Sequence, residues 1–238
     1  MSPFHFDIVP FFWDNTHMDG ILRRTVTGIA IGAAVIAAIL LVPPRAIVPV
    51  VVCLIALAAL EFALLLRMKT PRPPFVAAAL LWLVGVAVLA CGLWSLAATG
   101  LRHGNMMLLY IVAIVKFSDV GGFAVGTATS RLMKGGNHKM CPSLSPGKSW
   151  EGLLGSVVFS CIVSCAFIPA THFAVAKALA FGLVAAILGT AGDLVESKFK
   201  RWVGVKDSSA LKITNGMGGV LDMLDSLAIA PAFLLPLI

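Results

Sequence analysis

Charge is what this chain has least of. Asp, Glu, Lys and Arg together make up 12% of its 238 residues, about half the share found in soluble globular domains. Hydrophobic residues make up 59%, and that balance excludes an ordinary soluble domain. The apolar residues run in stretches of about 17 to 25, the length of a helix that crosses a hydrocarbon core. The short alternating segments of a membrane β-barrel are lacking. The chain therefore reads as an all-α, polytopic integral membrane protein with one integrated domain and no soluble module.

Other absences narrow the chemistry. The opening MSPFHFDIVPFFWDNTHMDG lacks the basic start and small-residue cleavage site of a signal peptide. Its Phe and Trp residues suit either an interfacial segment or a simple tail. Cysteine supplies no framework: Cys53, Cys91, Cys161 and Cys165 fall inside predicted spans and Cys141 in a loop, where small buried hydrophobes are expected. His138 and Cys141 have HxxC spacing with no second pair, which argues against zinc. There is no GxxxxGK[ST] phosphate loop, no Ser-His-Asp set and no internal repeat.

What remains is organised by polarity. Seven spans are expected, at about 26–43, 47–66, 75–98, 106–129, 152–169, 173–192 and 221–238. They group as a tail (1–25), an N-terminal membrane region (26–105) and a C-terminal membrane region (106–238). Of the 18 basic residues, 14 lie in the tail and in the loops after spans two, four and six: Arg23, Arg24; Arg67, Lys69, Arg72; Arg131, Lys134, Lys139, Lys148; Lys198, Lys200, Arg201, Lys206 and Lys212. The positive-inside rule makes that side cytoplasmic and sets the C-terminus outside. The net charge of +7 follows from this asymmetry. It does not imply a nucleic-acid partner, because the charges sit in loops beside lipid rather than on a soluble basic face.

The acids converge in the second half: Asp119, Glu151, Asp193, Glu196, Asp207, Asp222 and Asp225 are seven of the eleven, all at or near the predicted cytoplasmic boundary. Ionisable groups there are costly and default to a functional hypothesis. If the helix of span six runs on past the membrane, Asp193, Glu196, Ser197, Lys200 and Arg201 share one face, with Leu194, Phe199 and Trp202 on the other. Asp222, Asp225 and Ser226 likewise share a face. Two such carboxylate-bearing helix ends suit a hard cation, and Mg²⁺ in particular shares its shell with substrate phosphates. The plainer alternative is a solvated cap of acids paired with neighbouring Lys and Arg.

Glycines favour the functional reading. Gly216, Gly218 and Gly219 precede Asp222, and such a run lets backbone amides approach an anion. Gly121, Gly122 and Gly126, after Asp119, are expected to permit close helix packing instead. In LSPGKSWEG (144–152), Pro146 and Gly147 are expected to turn the chain. Lys148 then sits at a helix start between Ser145 and Ser149, the parts of a phosphate cradle. Lys116, three residues before Asp119, is expected to pair with it. Together these parts suit phosphoryl or nucleotidyl transfer onto a lipid.

Three stretches then resemble one family. SKFKRWVGVKDSSALKITNGMGGVLDMLDS (197–226), SDVGGFAVG (118–126) and LSPGKSWEG (144–152) are similar, in order, to the motifs of phosphatidate cytidylyltransferases (CDP-diacylglycerol synthases). ALEF (59–62) is a fainter echo. The resemblance covers about residues 106–238. It implies Mg²⁺-dependent transfer of the cytidylyl group of CTP to phosphatidate, giving CDP-diacylglycerol and pyrophosphate for phospholipid synthesis. It admits a second cation and a homodimer, and implies a bacterial inner-membrane site facing the cytoplasm. Asp193 and Asp222 fall at metal-site positions. Ser197, Lys200, Arg201, Asp207 and Asp225 are implied in catalysis. Ser145, Lys148, Lys206, Gly218, Gly219 and Asp119 are implied in substrate binding. The chain departs from the family pattern where Asn215 and Met217 replace a proline and a histidine, and where Met223 replaces an arginine. The alternatives are another lipid-linked phospho- or nucleotidyltransferase, or a transporter. A CDP-alcohol phosphotransferase would carry D-G-x-x-A-R…G…D…D, which is lacking. A transporter would place its polar site between repeats near the bilayer midplane.

Overall fold

Prolines and one glycine punctuate the helices. The computed structural model describes residues 30–205 and 219–238. Two units are distinguished, 1–38 and 39–238. The described part of the first is helical and belongs to α1 (Ala30–Leu41). The second holds everything that follows. Helix α2 (Pro44–Met68) begins with proline in its first turn, where the missing N–H costs nothing. Pro74 immediately precedes α3 (Phe75–His103). Gly104, at φ 83°, ends α3 and starts α4 (Asn105–Leu132); that left-handed conformation favours glycine. Among the described residues, α2, α3, α4 and α7 (Val175–Val203) are long and apolar enough to cross a membrane. The expectation of an all-α membrane protein holds at that level.

Two elements differ from the expectation. A two-stranded antiparallel hairpin, β1 (Lys139–Cys141) and β2 (Ser145–Ser149), leads into α5 (Trp150–Ala166). Its turn lies at 142–144, so Pro146 and Gly147 are strand residues rather than the turn. The second difference is the last span. Instead of one helix over 221–238 there is α8 (Val220–Leu224), a turn at 225–229, α9 (Ala230–Leu234) and a single 3₁₀ turn. Pro231 has no N–H, and its ring crowds the carbonyl four residues earlier, so a helix interior is disfavoured at 227–231 and the proline sits in the first turn of α9. Short α6 (Ile168–Thr171) joins α5 to α7.

Small residues set how closely these elements pack. A Cβ on Gly121 of α4 would lie 2.5 Å from Cβ of Phe159 and 2.6 Å from the Gly155 carbonyl oxygen. One on Gly155 of α5 would lie 2.6 Å from the Gly121 carbonyl oxygen. The two backbones touch, the approach that small residues give membrane helices. Hydroxyls then tie α5 to both neighbours. Ser160 donates to the Ile114 carbonyl at 2.9 Å, and Ser164 to the Ala178 carbonyl at 2.6 Å. Since Ser164 has one proton and gives it to Ala178, the buried Tyr110 hydroxyl must be the donor in its 2.7 Å bond to Ser164. The broken last segment is housed the same way. Gly92 of α3 lies against the Ala228 carbonyl, and a Cβ on Gly192 of α7 would stand 2.5 Å from the Asp225 carbonyl oxygen. Irregular backbone is tolerated at membrane depth only when buried in protein like this, and Leu227, Ala228, Ala230 and Leu234 are all buried.

The packing makes a contrast that can be measured. Gly155→Ala forces Val125 and the Gly121 backbone apart and is expected to cost about 1–3 kcal/mol, read as a lower unfolding midpoint in detergent. At Gly126 the nearest atoms to a new Cβ are 3.5 and 3.6 Å away. Gly126→Ala should therefore leave the midpoint unchanged or raise it slightly, through the lost backbone freedom of the unfolded chain.

Candidate active site

Three lysines and five carboxylates face one another where α4, the hairpin, α7 and α8 meet. Lys148 reaches from β2 to α7, with its Nζ 2.5 Å from Asp193 Oδ2 and 3.4 Å from the Thr190 carbonyl oxygen. Both side chains of this ion pair are 22% exposed. Two turns further along the same face of α7, Lys200 pairs with Glu196 at 3.0 Å and with Asp222 Oδ1 of α8. On α4, Lys116 Nζ stands 3.5 Å from Asp119, the expected pairing. Asp225 follows α8 in the same cluster, and its Oδ1 accepts the Ser226 N–H at 2.7 Å. The helix of span six does run on, and it presents Asp193, Glu196 and Lys200 to the cluster as the spacing predicted. On its other side Phe199 stacks on Phe62 with centroids 4.3 Å apart.

The hairpin and α5 hold Lys148 in place. Ser149 caps α5 by accepting the Gly152 N–H at 3.1 Å. Asn137 donates to that same hydroxyl at 3.0 Å and to the Gly126 carbonyl at 2.8 Å, which fastens the hairpin to α4. At the exposed edge, Glu151 accepts the His138 N–H at 3.1 Å and lies 2.6 Å from His138 Nδ1. A cavity of about 260 Å³ opens beneath Lys148. Asp119, Gly122, Phe123, Ser149, Gly152, Ser156, Thr190 and Asp193 are among its walls. Gly122 and Gly152 give it bare backbone, while Lys148 and Ser149 give it donors that suit an anionic oxygen.

Several predicted residues are placed elsewhere. Gly219 does not offer its amide outward: it donates to Asp222 Oδ2 at 2.8 Å. The Leu221 amide of α8 is taken by Glu61 Oε2 at 2.9 Å. Two amides of this helix start thus go to the protein's own carboxylates. Arg201 is exposed and donates to the Val205 carbonyl at 3.2 Å, closing its own helix. Ser197 is half-buried on α7, and Ser145 opens β2 outside the cavity walls. Lys206, Asp207, Lys212, Asn215, Gly216, Met217, Gly218 and the 1–25 tail lie outside the described residues. Glu61, Thr190 and Asn137 are contributors that sequence reasoning did not single out. Of these only Glu61 carried a signal, as a carboxylate in an apolar span within the ALEF stretch; the structure buries it fully.

The donor set fits a hard cation. Asp193 Oδ1 and Glu196 Oε1 are buried and accept no hydrogen bond, so two carboxyl oxygens remain without a donor beside the lysine contacts. Among the described residues no three acidic, His or Cys side chains form a ready-made cage. Mg²⁺ does not need one, since it takes one or two carboxylates and completes its shell with waters and phosphates.

The chain belongs to the cytidylyltransferase family, which it matches over residues 76–238. Individual relatives agree. It is 37% identical over 158 residues to a phosphatidate cytidylyltransferase of Staphylococcus haemolyticus, covering 66% of this chain and 56% of that one. The corresponding protein of Haemophilus influenzae is 37% identical over 140 residues, 55% of this chain and 45% of that one. An uncharacterized protein, YnbB, of Escherichia coli is 36% identical over 156 residues, 64% of this chain and 50% of that one. The chain thus spans about half the length of the curated relatives it matches.

The hairpin makes one clean titration. The His138 hydrogen bonds, side chain first and backbone second, pull the Glu151 carboxyl from its ordinary 4.5 down to about 2. Glu151 thus strengthens the hairpin above pH 4.5, and that support is lost as pH falls through about 2. A carboxyl ¹³C titration should give a midpoint near 2 in the wild type and nearer 4.5 in His138→Ala. A midpoint already at the ordinary value in the wild type would refute the contact.

Proposed function

We propose that the chain transfers the cytidylyl group of CTP to phosphatidate, producing CDP-diacylglycerol and pyrophosphate. The observation that carries this reading is the Lys148–Asp193 pair above a glycine-walled cavity, in a chain of the cytidylyltransferase family. A phosphatidate oxygen attacks the α-phosphorus of CTP. A new P–O bond forms, the bond to the β-phosphate oxygen breaks, and pyrophosphate leaves with that electron pair. The nucleophile is already anionic, so no strong general base is needed, and the Met217 that stands for a family histidine is not an obstacle. The work is positioning and charge neutralisation.

Asp193 and Asp222 would hold Mg²⁺, which when bound neutralises phosphate charge and supports the leaving group. The lysines do the rest. Lys148 and Lys200, clasped to carboxylates at rest, exchange those partners for phosphate oxygens as substrates enter. Ser149 and the bare backbone at Gly122 and Gly152 let a phosphate or sugar lie close. Glu61 keeps α8 seated so that Asp222 stays over Lys200. With α1, α5 and the broken 220–238 segment added to the four long helices, seven crossings remain the reading. The basic loops put the cluster on the cytoplasmic side, where acyl chains enter from the inner leaflet. The relatives named above are bacterial, which supports the bacterial inner membrane as the location.

Purified protein given labelled CTP, phosphatidate and Mg²⁺ should form a chloroform-soluble labelled product and release pyrophosphate. Asp222→Asn and Lys148→Met should each lower turnover by about 10²-fold or more while the protein stays folded. Wild-type turnover in either variant would reject the residue's assignment. No lipid product from the wild type would reject the reaction.

A further inference from the structure

Lys116 lies near the midpoint of α4, a helix long enough to cross a membrane. An ammonium there is costly and needs a reason. Its Nζ has three hydrogens and three oxygens around it. The Met223 carbonyl is at 3.1 Å, the Ser226 hydroxyl at 2.9 Å and the Asp119 carboxylate at 3.5 Å. Ser226 in turn gives its one proton to Asp119 Oδ2 at 2.9 Å, and its own N–H goes to Asp225 Oδ1 at 2.7 Å. The ring closes: Lys116 to Ser226, Ser226 to Asp119, Asp119 back to Lys116. Two of the ammonium's donors go to Met223 and Ser226, and its charge is paired with Asp119.

Each partner belongs to a part of the site that would otherwise be loose. Met223 and Ser226 flank the point where the last segment stops being helical, at the 225–229 turn. A carbonyl released by a broken helix has lost its intrahelical donor, and Lys116 replaces that donor for Met223. Asp119 walls the cavity beneath Lys148. Lys116 therefore touches the cavity wall and the acid-bearing turn at once.

We infer that Lys116 is a positioning residue: a tethered cation that clips the 222–226 turn to α4 and so fixes Asp119, Asp222 and Asp225 relative to one another. It does not bind substrate. The clip rests on the transfer reading for its effect on turnover, but its structural half stands without it. Position 223, where the resembled family carries an arginine, has no cation of its own in this chain. The ammonium of Lys116 supplies a positive charge at that point from a different helix.

Two measurements decide it. Amide exchange over residues 220–229 should be about tenfold faster in Lys116→Met than in the wild type, as expected for a lost charge-assisted hydrogen bond, with α3 unchanged. Ser226→Ala, which keeps every charge, should shift exchange in the same direction and serves if Lys116→Met does not fold. In turnover, Lys116→Ala should lose about 10²-fold in kcat, with KM for CTP and phosphatidate nearly unchanged, and added ammonium or methylammonium should restore part of it. Unchanged exchange in the foldable variant would overturn the clip. So would a loss expressed wholly in KM and indifferent to added amines, which would make Lys116 a substrate ligand. If the wild type makes no lipid product, the transfer reading fails, and the exchange result still decides the clip.

Discussion

Carboxylates held in an apolar helical bundle must be matched by cations, and the rest of this structure is arranged around that requirement. Lys116, Lys148 and Lys200 each hold an acid from the same cluster. The last two pairs are mostly withdrawn from solvent, where removing one partner leaves an uncompensated charge and costs about 3–5 kcal/mol. Breaking either of these two pairs is therefore expected to lower stability as well as disturb the site. Asp193 Oδ1 and Glu196 Oε1 are buried and accept no hydrogen bond, so the lysine contacts do not use all of the cluster's carboxyl oxygens.

The broken C-terminal segment is the second constraint. Lipid forbids irregular backbone unless protein satisfies it. Here three devices do so: Glu61 from α2 takes the Leu221 amide, Lys116 from α4 takes the Met223 carbonyl, and Gly92 and Gly192 leave room for the turn itself. Asp222 and Asp225 consequently sit on a short, clasped structure rather than on the tip of a long helix. A long helix would have carried them along its axis with any tilt of the span. The clasp sets them against four other helices.

The family departures make sense in the same terms. Met223 brings no charge to a position where the resembled family has arginine, and a lysine from α4 stands against that residue's carbonyl. Asp119 and Lys148 were recognisable from their motifs. What the motifs did not convey is that they are walls of one cavity, or that Ser149 serves chiefly as a helix cap bound to Asn137.

The sequence by itself determined the apolar helices, the proline and glycine breaks between them, the shared face of Asp193, Glu196 and Lys200, and the pairing of Lys116 with Asp119. All of these depend on spacing within one helix or on composition, which are local. It also carried the family, because three motifs in order are a linear signal. Only the tertiary structure decided which lysine holds which acid, since Lys148 and Asp193 are brought together across two elements. It alone revealed Glu61 as the partner of Leu221, 160 residues away. It seated the break in the final span, where the contacts that hold the segment come from Glu61, Gly92, Lys116 and Gly192, all distant in the chain. It also gave the Leu221 amide to a carboxylate of α2, a partner that nothing in the local sequence could specify.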